Sequence, residues 1–245
     1  MDYLRDPKAI YEMSFKIIEK EAALDQYPPS LRPVVVRMIH ACGMVDLTQD
    51  IAFRGDVMKA GQAALAAGKP ILCDCEMVRS GITKRFLPRG GASSDDAPSG
   101  TSAAGQLFAR PRGGVERSET AVSAKTSQAQ CCLNDERTPA LAKELGTTRS
   151  AAQVELWGDA ADGAIIVIGN APTTLFKVIE MVEAGHMHPA AIIATPVGFV
   201  GAAESKDALT QTRVSVPYIT VTGRRGGSAM ASAAMNAIAL GGQQQ

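Results

Sequence analysis

The chain has 245 residues, of which 46% are apolar but only 4% aromatic, so a core must rest on Val, Ile, Leu, Ala and Met in one large α/β domain or two small ones. Lys+Arg and Asp+Glu balance at 25 each. That argues against nucleic acid as a partner, because non-specific binding needs a global basic field, while local positive loops can still hold an anionic small molecule.

In chain order, Pro7 suits the first turn of a helix, and Ile10, Met13, Phe15, Ile17, Ile18 and Leu24 carry a helical period that ends near Leu24. The N-terminal stretch is charged and has no apolar signal region, so no secretory leader is expected. "YPPS" is a break. Ser30 is placed to cap a second helix, with Pro33 tolerated in its first turn and Gly43 available to end it. A third helix spans 56–67 and closes at Gly68.

The rhythm then changes to short apolar runs at 70–78, 129–134, 163–169, 189–198 and 217–223. Continuous runs of this kind suit strands buried on both faces of a parallel sheet. They alternate with helical patterns near 139–145, 149–158, 173–184, 203–210 and 228–240. The expected fold is an α/β three-layer sandwich, with a mainly parallel central sheet and helices on both faces. Residues at about 89–128 do not fit, having few large apolar side chains. They read as a low-complexity insertion in a single domain, disordered or loosely attached. Deleting 91–127 is expected to leave the fold intact, since an insertion at a turn costs little loop-closure entropy.

Ligands of open parallel sheets bind at the carboxyl ends of the strands, and three loops there stand out: "GNAPTTLF" (169–176), "PVGFVGAAESK" (196–206) and "GRRGGSAM" (223–230). Their glycines allow close backbone approach, and each feeds a helix N-terminus that favours an anion. Lys206, Arg224 and Arg225 add positive charge, and Thr173 and Ser228 can cap helices or bind a ligand oxygen. None matches a nucleotide-binding signature. The glycines could equally serve only turns, yet three such loops together point to a polyanionic ligand. Thr147 or Thr148 caps a helix that opens on Arg149, where a cation opposes the helix dipole; a bound carboxylate would offset this, and a solvent-facing arginine is the alternative.

The chain has three histidines. His40 falls in the last turn of the second helix, where the dipole stabilises imidazolium and favours a proton donor; the alternative is a packed residue. Cys42 lies on another face. His186 and His188 belong to a surface loop at the opposite sheet edge. Asp74 and Glu76, two apart, are either paired carboxylates or solvent-side or loop residues where a strand ends. Ser14, polar on a mostly apolar helix, is a further candidate, with a back-bonded or exposed serine as the alternative. The five cysteines form no CxxC pair, as in a cytoplasmic protein with reduced thiols. No His/Cys/carboxylate cluster has metal spacing, and no run approaches the ~18 apolar residues of a membrane span.

The segments "SFKIIEKE", "RMIHACG", "ILCDCEMV", "TRSAA", "GNAPTTLF", "PVGFVGAAESK" and "GRRGGSA" occur in that order. Together they resemble the precorrin-8X methylmutase family of cobalamin biosynthesis, over nearly the whole chain outside the 89–128 segment. The resemblance implies an α/β sandwich, usually a homodimer, and an isomerase that moves a methyl group from carbon 11 to carbon 12 of a tetrapyrrole, giving hydrogenobyrinate. It implies no cofactor and no protein-bound metal. It places the catalytic histidine on His40 and substrate-binding residues on Ser14 and Arg149. Asn170, Thr173, Lys206, Gly227 and Ser228 are implied as further contacts to the substrate's ring of carboxylates. The "IHACG" context resembles the aerobic form, which acts on the metal-free substrate. The cobalt-precorrin-8 enzyme of the anaerobic pathway and a non-catalytic tetrapyrrole carrier are the alternatives.

Overall fold

The computed structural model describes residues 3–88, 127–213 and 215–241. The expected insertion therefore lies outside the described residues, except at its end. There Ser127 is buried and donates from Oγ to the Leu65 carbonyl at 3.2 Å, while Ile71 N donates to the Gln128 carbonyl at 2.9 Å. These two residues belong to the fold.

The first helix, α1 (Pro7–Glu21), opens where Asp6 accepts from Ala9 N at 3.1 Å. It stops at Ala22, which turns extended, so Leu24 belongs to a separate 3-10 turn. Helix α2 (Arg32–Cys42) ends at Gly43, as expected, with φ 70°. Ser30 does not cap it. The N-cap is Leu31, and the Pro28 carbonyl instead accepts from Leu31 N and Arg32 N. A four-residue strand, β1 (Ile51–Arg54), follows; the sequence reading had no strand there. Asp56 caps α3 (Val57–Ala66) by accepting from Lys59 N.

The run at 70–78 divides into β2 (Ile71–Cys73) and α4 (Glu76–Gly81). The run at 129–134 keeps only β3 (Ala129–Gln130) in the sheet. Then come α5 (Thr138–Glu144), α6 (Arg149–Glu155), β4 (Ile165–Ile168), α7 (Pro172–Glu183), β5 (Ala191–Ala194), α8 (Ala202–Gln211), β6 (Tyr218–Val221) and α9 (Ser228–Ala239). The sheet order is β1-β6-β5-β4-β2-β3, parallel throughout except for β1, which pairs antiparallel with β6 at the edge.

Strand side chains alternate between two cores, as a period of two requires. Ile165, Val167, Ile193, Ile219 and Val221 join Val35, Ile39, Met235 and Ile238 on the face covered by α1, α2, α3, α4 and α9. Ile166, Ile168, Ile192 and Ala194 join Val154, Leu175, Val178 and Leu209 on the face covered by α6, α7 and α8. This is the expected three-layer arrangement. Each fully buried Ile or Val contributes about 1.5–3 kcal/mol, which explains how a core with few aromatics holds together. Gly169, just past β4, is needed for that packing: a Cβ there would sit 2.7 Å from the Ser228 Cα, in the first turn of α9.

Candidate active site

Two layers of helices bring the sequence candidates Ser14 and His40 together. Phe15 and Ile18 seat α1 on α2, and this places the Ser14 hydroxyl 2.9 Å from His40 Nδ1. Tyr11 and Phe15 flank the imidazole at ring-centroid distances of 5.3 and 5.1 Å. His40 is exposed, and its Nδ1 is held while Nε2 has no hydrogen-bond partner among the described residues. A serine hydroxyl can donate to a bare Nδ1 or accept from Nδ1–H, and it therefore fixes the ring in either tautomer.

The expected imidazolium is corrected here. Burial against the neighbouring rings, and then the positive charge of Arg37 one turn back, lower the proton affinity of His40 below the ordinary histidine value. Both effects oppose the helix-end dipole and favour the neutral ring. Arg37 stacks over Phe15, its guanidinium carbon 5.5 Å from the ring centroid. Cys42 takes no part in this arrangement; its Sγ donates to the Ile39 carbonyl, and burial pushes its thiol up.

At the strand ends the glycine-rich loops are occupied by the chain itself. Asp74 is fully buried and accepts from Gly169 N at 3.0 Å, Asn170 N at 2.8 Å and Ala171 N at 2.7 Å. An internal carboxylate thus fills the anion position expected of the "GNAP" loop. Burial raises its proton affinity, and the three N–H donors counter that rise. Asp74 and Glu76 are not paired carboxylates: Asp74 closes β2 in a loop, whereas Glu76 opens α4 and binds Arg79 at 2.6 Å.

Lys206 is likewise fully buried, donating from Nζ to the Pro196 carbonyl at 3.0 Å and the Arg225 carbonyl at 2.6 Å. It ties the 196–201 loop to the 223–227 loop, and burial pushes its ammonium down to about 8. Arg225 is paired with Asp46 at 2.7 Å and Asp50 at 3.4 Å. That bridge draws the segment after α2, and with it the His40 end of the helix, to the loop before α9. Arg224 lies 5.4 Å over the ring of Phe199, and Phe199 and Val200 are 83% and 89% exposed, leaving an apolar loop tip at this edge.

The remaining candidates divide by exposure. Thr148 caps α6, accepting from Ala151 N, and donates to the Thr173 hydroxyl at 2.8 Å. Thr173 does not cap α7, whose N-cap is Ala171. Arg149 is exposed and uses Nη2 to hold the Leu133 carbonyl at 2.8 Å and Asn134 Oδ1 at 3.2 Å. The Asn170 side chain is also exposed. Ser228 is buried, 3.4 Å from Cys75 Sγ, and the N-cap position of α9 belongs to Gly227. His186 and His188 lie in the exposed turn after α7, as expected, with His188 Nδ1 3.3 Å from Asp162. Among the described residues no three His, Cys, Asp or Glu side chains converge on a metal position, and no helix is long and apolar enough to cross a membrane.

Sequence reasoning missed Tyr11 and Arg37. Arg37 was visible in principle, since it precedes His40 by three residues and must share its helix face. Tyr11 was not, because its meeting with His40 depends on how α1 crosses α2.

The profile of a family described as precorrin-8X methylmutase matches residues 9–97 and 112–240. A Sinorhizobium protein named precorrin-8X methylmutase is 44% identical over 98% of this chain and 98% of its own. A Pseudomonas aeruginosa protein of the same name is 46% identical, also over 98% of each. A solved structure of a precorrin-8X methylmutase from Thermus thermophilus is 30% identical, with a TM-score of 0.73 over 96% of both chains.

Proposed function

The chain belongs to the precorrin-8X methylmutase family, and we propose that it moves a methyl group from carbon 11 to carbon 12 of precorrin-8X, giving hydrogenobyrinate in cobalamin biosynthesis. The observation that carries the reading at the level of chemistry is the Ser14–His40 pair, an oriented imidazole with Nδ1 held and Nε2 without a partner among the described residues. An intramolecular migration leaves the atom count unchanged, so a proton lent to or taken from the ring must be returned. A neutral imidazole serves this role. With Nδ1–H donated to Ser14, bare Nε2 takes a proton from the ring-C region as the methyl group leaves, and gives it back when the new bond has formed. Ser14 accepts from Nδ1–H throughout and so supports the transient charge.

The rest of the site holds the macrocycle still, the contribution on which an intramolecular step depends most. Arg149 keeps Nε and Nη1 open among the described residues, and with Asn170 and Thr173 it faces the substrate's carboxylates. Gly227, Ser228 and Lys206 belong to the frame behind them. The metal-free substrate is the one proposed, because the relatives at 44% and 46% identity carry the precorrin-8X name, whereas a Salmonella typhimurium relative named cobalt-precorrin-8 methylmutase, matched over 97% of each chain, is 30% identical. The protein works as a cytoplasmic homodimer on this reading, with the exposed stripe Ile10, Met13 and Ile17 of α1 as the surface a second copy would cover. Sedimentation of an Ile17→Glu variant as a monomer would support that surface.

Purified protein mixed with precorrin-8X should convert its visible spectrum to that of hydrogenobyrinate. Binding without a spectral change would instead make the protein a tetrapyrrole carrier.

A further inference from the structure

Beside the Ser14–His40 pair lies a cavity of about 220 Å³, lined by Pro7, Lys8, Tyr11, Arg37, Arg85 and Phe86. We propose that this cavity takes one peripheral carboxylate of the tetrapyrrole, and so anchors the ring edge next to His40. The proposal rests on the methylmutase reading and adds a subsite to it.

Three cations converge on one small space. Lys8 comes from the first turn of α1, Arg37 from the middle of α2, and Arg85 from the 3-10 turn after α4. Among the described residues neither Arg37 nor Arg85 meets a carboxylate. The acidic residues that flank Lys8 in the sequence are otherwise engaged: Asp6 caps α1 through Ala9 N, and Glu12 lies 4.0 Å from Lys8, both side chains exposed. Both guanidinium groups are held in place by aromatic rings, Arg37 over Phe15 at 5.5 Å and Arg85 over Phe86 at 5.1 Å, so less rotamer freedom is lost when an anion arrives. A planar guanidinium grips a carboxylate through parallel N–H donors, and the volume suits an acetate or propionate arm rather than a whole ring.

Position gives the cavity its role. Its Tyr11 wall is the same ring that flanks His40 at 5.3 Å, and Arg37 shares the α2 face with His40, three residues before it. A side arm seated here fixes the ring edge from which it hangs against the imidazole. The arm also neutralises Arg37, whose charge opposes protonation of His40 in the free protein.

The test is a cycle between protein and ligand charge. Dissociation constants are measured by absorbance titration for hydrogenobyrinate and for its fully methyl-esterified form, on the wild type and on the Arg37→Gln, Arg85→Gln and double variants. The wild type should prefer the free acid, and the double variant should lose about tenfold or more of that preference, as expected when charge-assisted contacts to one carboxylate are removed. Arg37→Lys should recover part of it. An unchanged acid-to-ester preference in well-folded variants overturns the proposal. Arg85 is exposed, so Arg85→Gln decides the matter if loss of Arg37 from the Phe15 ring disturbs folding. A wild-type protein that does not convert precorrin-8X would defeat the methylmutase reading itself; conversion with an unchanged preference defeats only the cavity.

Discussion

Along the carboxyl ends of the sheet, polar groups are matched within the chain: Asp74 receives three backbone N–H groups and Lys206 serves two carbonyls, both fully out of solvent. In the seam between α1 and α2 the balance is reversed. His40 has one bond, to Ser14, and keeps an exposed edge, while Arg37 and Arg85 have no acidic partner among the described residues. Burial explains the contrast, because a charge taken out of water must be satisfied on the spot. Only groups at the surface retain capacity for a ligand. On the proposed reading the buried Asp74 and Lys206 make the strand-end loops a frame, and the acid–base chemistry lies beside it, joined to it by the Arg225–Asp46 bridge.

The contrast can be broken first at the seam. His40→Ala should lower single-turnover conversion by about 10²–10⁴-fold, the usual range for a lost acid–base group, while hydrogenobyrinate still binds and the melting temperature stays near that of the wild type. A rate close to wild type would remove the histidine from the chemistry. On the frame side the loss should be one of stability. Asp74→Ala leaves three N–H groups, two of them buried, without an acceptor, and urea unfolding should show a loss of about 2–5 kcal/mol. An unaltered midpoint would mean that the loop is held by something else.

Lys206 offers a finer test on the frame. Its ammonium is pushed down from 10.5 to about 8 in the folded protein, so between these values the unfolded chain binds more protons and stability rises with pH. This contribution is complete above 10.5 and lost as pH falls through about 8. The melting temperature of the wild type relative to Lys206→Met should accordingly rise from pH 8 to pH 10. A flat difference would contradict the buried ammonium. The smallest effect concerns His40. Its midpoint, followed by NMR, should lie below 6.5, and Arg37→Gln should move it upward. A midpoint above 6.5 would restore the helix-end dipole as the dominant influence.

The sequence made the layers legible because "AIIVIG" and "AAIIATP" are continuous apolar runs of strand length, each leading into a helical period. It did not reveal β1, a four-residue strand whose pairing with β6 is antiparallel and purely tertiary. Nor did it separate Asp74 from Glu76, because nothing local marks where β2 gives way to α4. His40 and Arg149 were identifiable as candidates from helix position, and Ser14 by the family resemblance. The bond that makes Ser14 meaningful joins residues 26 apart and depends on how α1 crosses α2. The partners of Lys206 were hidden for a related reason: a lysine in a glycine-rich loop looks like an anion site, and the carbonyls of the two loops around its ammonium meet it only in the fold.

A crystal structure with hydrogenobyrinate bound decides between the seam and the strand-end loops. Ring C should lie in the seam, with His40 Nε2 within about 3–3.5 Å of a ring atom and a side-arm carboxylate beside Arg37. A macrocycle lying over the 169–171 and 196–201 loops, with its carboxylates on their backbone N–H groups and His40 out of reach, would contradict it.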